Sequence, residues 1–426
     1  MNLSSRMAFY IAGSVIIKGL TLCVLPYSLT LLKPAQLGLY SLFNSFIAIV
    51  STVIAVGLRQ VFWIEFFHKN HQTRRLMLND IILIYIFVAT PLLIALCMFV
   101  AFINRVVFVN DASPLMIYIS LLICFFGFFT ELFYQVLVAT QKIVHLLMVQ
   151  LCGALVMIAG SIVFLKWDWG VTGLLGAQLG SALIVSLWAG QEYVKRNLVH
   201  ILSMQRVKNL FKQYITAGLP FISSVLAAFF ITSSSRWLLV YYSNLHHVGI
   251  YSVVEMVGTL FQIVVLQPFQ NTYLPFLFER FVTTSNVMHV ENENKQRMCM
   301  VVLLIGVSGL VGYLLLRPLM YYVVPIVYHR AILYAPLMFI GQLLLLATSF
   351  MLAYVQFCKK IYFIGGSLVA CALINALLCR IFIPQLQVVG ALFALVGTYA
   401  FYFVISWMYN RTLVRTTPVV LLIHRH

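Results

Sequence analysis

The sequence predicts an all-α polytopic membrane protein with about twelve transmembrane helices in two pseudo-symmetric six-helix bundles, and three observations carry that prediction. Of its 426 residues 63% are hydrophobic and only 9% are charged, whereas a water-soluble domain carries about 25% charged residues. Apolar stretches of about twenty residues recur along the whole length, each able to cross roughly 30 Å of hydrocarbon at about 1.5 Å per residue. Basic residues gather in the short loops between them, on one side far more than the other.

The first span, residues 8–32, carries Lys18 at its middle. A Lys at a helix centre costs roughly 2.5 to 3.5 kcal/mol to insert, so it must face protein, water or a counter-ion. Ser14, Lys18, Thr21 and Ser28 share one helical face with it. Arg6 precedes the span and no small-residue cleavage site follows, so it reads as an uncleaved first helix. The second span, 39–62, carries a stripe of small and polar residues, Ser41, Asn44, Ser45, Ala48, Thr52 and Ala55, ending in Arg59. Such a stripe faces a helix or a cavity, not lipid. Spans at 81–103, 115–140, 143–165 and 172–193 complete the first half. Glu131, with Gln135 one turn on, stands inside the fourth, and His145 near the start of the fifth.

Residues 195–214 place apolar side chains at helical spacing among basic ones, which suits an interfacial linker between two halves. The organisation is therefore 1–194 as a first bundle, 195–214 as a linker, 215–409 as a second bundle and 410–426 as a basic tail. The second half has spans at 215–241, 249–271, 298–322, 332–357, 361–381 and 389–409. Arg236 follows Ser233-Ser234-Ser235 in the seventh, and Glu255 heads a face with Thr259 and Gln262 in the eighth. Arg317 and Arg380 sit near span ends and read as interfacial.

Placing the N-terminus inside puts 18 basic residues on the inner side, four on the outer and five within spans. That asymmetry predicts a multi-pass protein with both termini cytoplasmic. It also accounts for the net charge of +17, which in a soluble protein would point to nucleic acid; no nucleic-acid partner is expected. The eight cysteines fall in or at the ends of spans without CxxC or Cys/His spacing, so they read as small buried hydrophobes with no metal and no cofactor. No Ser/His/Asp set or nucleotide loop appears at a diagnostic spacing, so no catalytic residue is assigned and the chain is expected not to be an enzyme. The outer loops span about a dozen residues or fewer, too short for the sugar chemistry of a membrane glycosyltransferase or polysaccharide polymerase.

The two halves echo each other. Gly38-Leu39-Tyr40-Ser41 opens the second span and Gly249-Ile250-Tyr251-Ser252 the eighth. The run Leu31 to Phe43, LLKPAQLGLYSLF, resembles the L-x-P-x-x-x-G-x-Y-S-L-F opening of the polysaccharide-exporting, Wzx-like O-antigen and capsule flippases of the multidrug/oligosaccharidyl-lipid/polysaccharide superfamily. Ser235-Arg236-Trp237-Leu238-Leu239 with Gly249-Ile250-Tyr251-Ser252 is similar to the family's D-R-x-x-L and G-x-Y-S in the second half, with Ser235 where Asp is commoner. The resemblance implies two six-helix bundles in a V and alternating access. It also implies transfer of an undecaprenyl-pyrophosphate-linked oligosaccharide across the bacterial inner membrane.

Such a substrate requires cations in a polar cavity, because phosphate oxygens pair with Lys as a point charge and with Arg as a fork. Lys18, Arg59 and Arg236 are the candidate substrate-binding residues, and Glu131 and Glu255 are candidate proton-coupling sites or counter-ions to them. The expected partners are the lipid-linked oligosaccharide, membrane lipids and other polysaccharide assembly proteins. A multidrug exporter of the same fold is the alternative; it favours acidic, cation-poor bundles.

Overall fold

The computed structural model describes residues 27–55, 57–59, 71–140, 142–194, 226–227, 229–266, 269–283, 287–358 and 360–416, together with Gly13, Ile17, Leu20, Phe62 and Phe66. These residues are almost all helical, and among them there is no strand. Nine of their helices are long and apolar enough to cross a membrane. Lys18 with most of the first expected span, the expected linker 195–214 and the last ten residues of the tail lie outside the described residues. Internal contacts divide the chain into two units, Met1–Leu226 and Ala227–His426.

Unit 1 contains α1 (Pro34–Ala55), α2 (His71–Met98), α3 (Val100–Val107), α4 (Pro114–Ala139), α5 (Ile143–Lys166) and α6 (Gly170–Val194). Local chemistry sets the starts. Pro34 and Pro114 occupy the first helical position, where the missing N–H is no loss. The Lys33 amide donates to Gln36 Oε1 at 3.1 Å, and Ser113 Oγ accepts from the Met116 amide at 3.4 Å. Between α5 and α6 the chain reverses through Asp168 (φ 57) and Gly170 (φ 51). The expected third span begins ten residues early, at His71, and breaks at Phe99 (φ −98, ψ 19) before α3.

Aromatic stacking and close approach of small residues hold unit 1 together, as they must where lipid offers apolar surface of its own. Phe43 of α1 stacks on Phe108 at 4.2 Å, and Tyr85 of α2 lies flat on Phe128 of α4 at 3.6 Å. The Tyr85 hydroxyl donates to the Cys124 and Phe125 carbonyls at 3.2 and 3.1 Å. Ser181 of α6 donates to the Gly153 carbonyl of α5 at 2.8 Å. A Cβ on Gly160 would stand 3.0 Å from that of Ala177, which measures how tightly α5 and α6 are packed.

Unit 2 contains α7 (229–242), α8 (Leu245–Phe261), two π-helical turns (Gln262–Leu266 and Phe269–Tyr273) and α9 (Leu274–Thr283). Then follow α10 (Val287–Val323), a 3-10 turn (Ile326–Tyr328), α11 (His329–Phe357) and α12 (Ile361–Thr416). α12 is two helices in succession, broken at Gln387 (φ 51, ψ −119) three residues after Pro384, and the break falls between the last two expected spans, 361–381 and 389–409. The ninth span likewise starts early. Its 37 residues run about 55 Å, and the first eleven, VMHVENENKQR, are too polar for hydrocarbon.

The repeat read from sequence is structural. α1 opens at Pro34 and α8 at Leu245, 211 residues apart, and Gly38, Ser41, Gly249 and Ser252 are buried in the opening turns. One expectation fails: Cys299 is exposed, and Cys97 and Cys152 are only part-buried, because α10, α2 and α5 turn those faces away from their unit. Cys124, Cys358, Cys371 and Cys379 are buried, and all seven described cysteines are free.

Candidate functional site: two ion pairs within the spans

In unit 1, α1 ends at Ala55 and the chain turns through Gly57, whose φ of 70 is the left-handed conformation that favours glycine. The turn is anchored by Leu58, which is fully buried, and it delivers Arg59 to Glu131 of α4. Arg59 Nη1 stands 3.6 Å from Glu131 Oε2, an ion pair longer than a good hydrogen bond. The Arg59 side chain is 26% exposed and that of Glu131 53%. Glu131 is eight residues, about 12 Å, from the end of α4. A charged side chain at that depth faces a bundle interior or a water-filled cavity, since lipid would charge several kcal/mol for it.

The stripe of α1 leads to this pair. Ser45 and Thr52 turn their hydroxyls back onto the Ser41 and Ala48 carbonyls, at 3.1 and 2.8 Å, while Asn44, Thr52 and Arg59 stay part-exposed. Gln135, one turn beyond Glu131, keeps a buried Oε1 without a hydrogen-bond partner.

Unit 2 builds its pair differently. Glu255 of α8 takes both Nε and Nη2 of Arg236 of α7 on one oxygen, with Nε at 2.8 Å, and the side chains are only 16% and 15% exposed. Around it lies a neutral polar cluster. Asn375 of α12, fully buried, donates to the Ile231 carbonyl at 3.0 Å and to Ser234 Oγ at 2.9 Å, and accepts from Thr398 Oγ1 at 3.2 Å. Ser235, where the related motif has Asp, meets Cys379 Sγ at 3.5 Å. Further along the Glu255 face, Gln262 donates to Gln342 Oε1 at 3.4 Å, leaving the buried Gln342 Nε2 without a partner.

The structure thus brings Arg59 together with Glu131 and Arg236 together with Glu255, one pair in each unit. His145 is packed between Phe133 and Trp188, at 6.2 and 5.6 Å between ring centres. Arg317 lies over Tyr321 at 5.8 Å. Among the described residues no group of His, Cys, Asp or Glu is arranged to hold a metal. Sequence reasoning passed over Glu291, because the run around it reads as a polar loop; the i, i+3 spacing of Glu291 and Asn294 is the helical signal that was there.

Solved structures of similar fold cover nearly the whole chain. An inward-facing multidrug resistance MATE family transporter of the MOP superfamily aligns over 93% of this chain and 94% of its own, with a TM-score of 0.71 and 14% identity. The lipid II flippase MurJ in an inward closed conformation aligns over 97% and 88%, also at 0.71 and 14%. A MOP superfamily transporter from Pyrococcus furiosus, described as having a binding pocket of reverse polarity and so a different function, aligns over 97% and 96% at 0.64 and 13%. These likenesses establish the fold. No curated protein sequence matches the chain. The profile of the family described as "Polysaccharide biosynthesis protein" matches residues 5–281, and the chain belongs to that family.

Proposed function

We propose that this protein is a flippase that carries an undecaprenyl-pyrophosphate-linked oligosaccharide, an O-antigen or capsule repeat unit, across the bacterial inner membrane by alternating access. It performs no covalent chemistry. The observation that carries the reading is the part-exposed, loosely paired Arg59 at membrane depth, in a chain of the polysaccharide biosynthesis family. A guanidinium 3.6 Å from its counter-ion exchanges that contact for a phosphate fork at little cost, because an exposed pair is worth at most about 1 kcal/mol. Lys18 and Arg236 complete the cationic set. Glu131 competes with the pyrophosphate for Arg59 and so helps release it, and Glu255 holds Arg236 in place. Other polysaccharide assembly proteins supply and consume the substrate.

The test is translocation of tagged undecaprenyl-pyrophosphate oligosaccharide in proteoliposomes, comparing wild type with Arg59→Ala and Lys18→Ala at equal reconstitution. Transport by the wild type and its loss in Arg59→Ala support the function and the site together. A second reading, export of cationic small molecules, is favoured by the exposure of the Glu131 carboxylate. Efflux of a cationic dye with no movement of the lipid would replace the first reading by the second.

A further inference from the structure

A buried carboxylate in unit 2 takes no part in either ion pair. Glu291, on the polar opening of α10, is 1% exposed. It accepts from Asn410 Nδ2 of α12 on Oε1 and from Asn294 Nδ2 at 3.5 Å on Oε2. Asn294, also 1% exposed, is fixed in turn by the Phe350 carbonyl of α11 at 3.1 Å and by the Tyr273 hydroxyl at 3.0 Å. No described cation forms an ion pair with Glu291. Its neighbour Glu293 instead collects Arg280, His289 and Arg297 at the surface. Lys295 on the same helix acts on Glu291 from longer range, and Tyr273 and Tyr354 are the ionisable groups that face it from the second π-helical turn and α11. From α12 it meets the neutral Asn410.

Asn410 supplies the second observation. It is fully buried, and while its amide nitrogen serves Glu291, its Oδ1 has no hydrogen-bond partner. An orphaned buried carbonyl is costly, and so is a buried carboxylate whose charge only amides offset. One event removes the charge and gives Oδ1 a donor. If Glu291 takes a proton from solvent, its Oε1–H needs an acceptor, and a half-turn of the Asn410 amide presents Oδ1 to it. The same two side chains then stay bonded with the hydrogen bond reversed, and Nδ2 takes the place that Oδ1 held.

We propose that Glu291 and Asn410 form a proton-binding site at the end of unit 2 where Lys295, Arg297, Arg411 and Arg415 gather. The carboxylate and the proton become a neutral carboxyl group, and the bond between α10 and α12 reverses its donor. The site is separate from Arg59, Arg236 and their partners, and the proposal stands whatever the transported molecule is.

Infrared difference spectroscopy of the purified full-length chain in phosphatidylcholine liposomes, stepped from high to low pH, reads the proton directly. A carboxyl C=O band set apart from that of solvent-exposed acids should form in the wild type. It should be lost in Glu291→Gln and retained in Glu131→Gln and Glu255→Gln. A band unchanged in Glu291→Gln overturns the assignment. Should that variant fail to fold, Asn410→Leu decides, because it removes the acceptor for the carboxyl proton: a shifted band supports the site and an unmoved one refutes it.

Discussion

The ion pairs of the two units use the same residue types to opposite ends. Arg59 and Glu131 touch once, at 3.6 Å, with a quarter and a half of their side chains exposed. Arg236 places two N–H groups on one oxygen of Glu255, and both side chains are about five-sixths covered. The difference follows from the supports. Arg59 follows the Gly57 turn, past the end of α1, whereas Arg236 and Glu255 face each other from α7 and α8, joined by the short 243–244 turn. A loosely held charge changes partners at little cost, and a tightly held one is fixed in position. The internal repeat sharpens the point, since the offset of 211 residues that sets α8 on α1 puts Glu255 on Asn44, which is neutral.

The largest effect should come from breaking the tight pair. Glu255→Ala takes the carboxylate from a mostly buried guanidinium and should cost about 3 kcal/mol, seen as a lowered Tm in detergent, with Arg236→Leu/Glu255→Leu restoring much of the loss. Asn375→Leu should come next. It strips Ser234 and Thr398 of a buried partner and should cost about 2 kcal/mol in the same melt. In unit 1 the order of consequences inverts. Arg59→Ala should change Tm little but lower lipid-linked oligosaccharide transport about tenfold or more, the worth of one lost charge-assisted contact. Glu131→Gln should move stability by under about 1 kcal/mol and raise substrate affinity, because it removes the competitor for Arg59. A Glu131→Gln variant as destabilised as Glu255→Ala would erase the contrast between the two pairs. The smallest difference is in salt: raising ionic strength should weaken substrate binding at the exposed unit 1 site and leave the unit 2 contribution to Tm nearly unchanged.

Much of this was legible in the chain itself. Apolar runs with few charges demand helices wherever water is absent, because every backbone amide must be satisfied within its own segment. That requirement is local, so spans such as Pro114–Ala139 and Ile143–Lys166 were placed to within a residue or two. The G-x-Y-S repeat was local too, and it marked the opening turns of α1 and α8. The early start of α10 was not, because a polar run can continue a helix when its neighbours cover one face of it.

Composition and hydropathy determined that this protein crosses the membrane many times and that a few charges lie where charges are expensive. Which charge meets which was decided by tertiary structure alone. Arg59 and Glu131 lie 72 residues apart in the sequence and Glu291 and Asn410 lie 119 apart, and no periodicity within a helix records a partner on another. Packing decided as well that Glu131 stays open while Glu291 is sealed among amides.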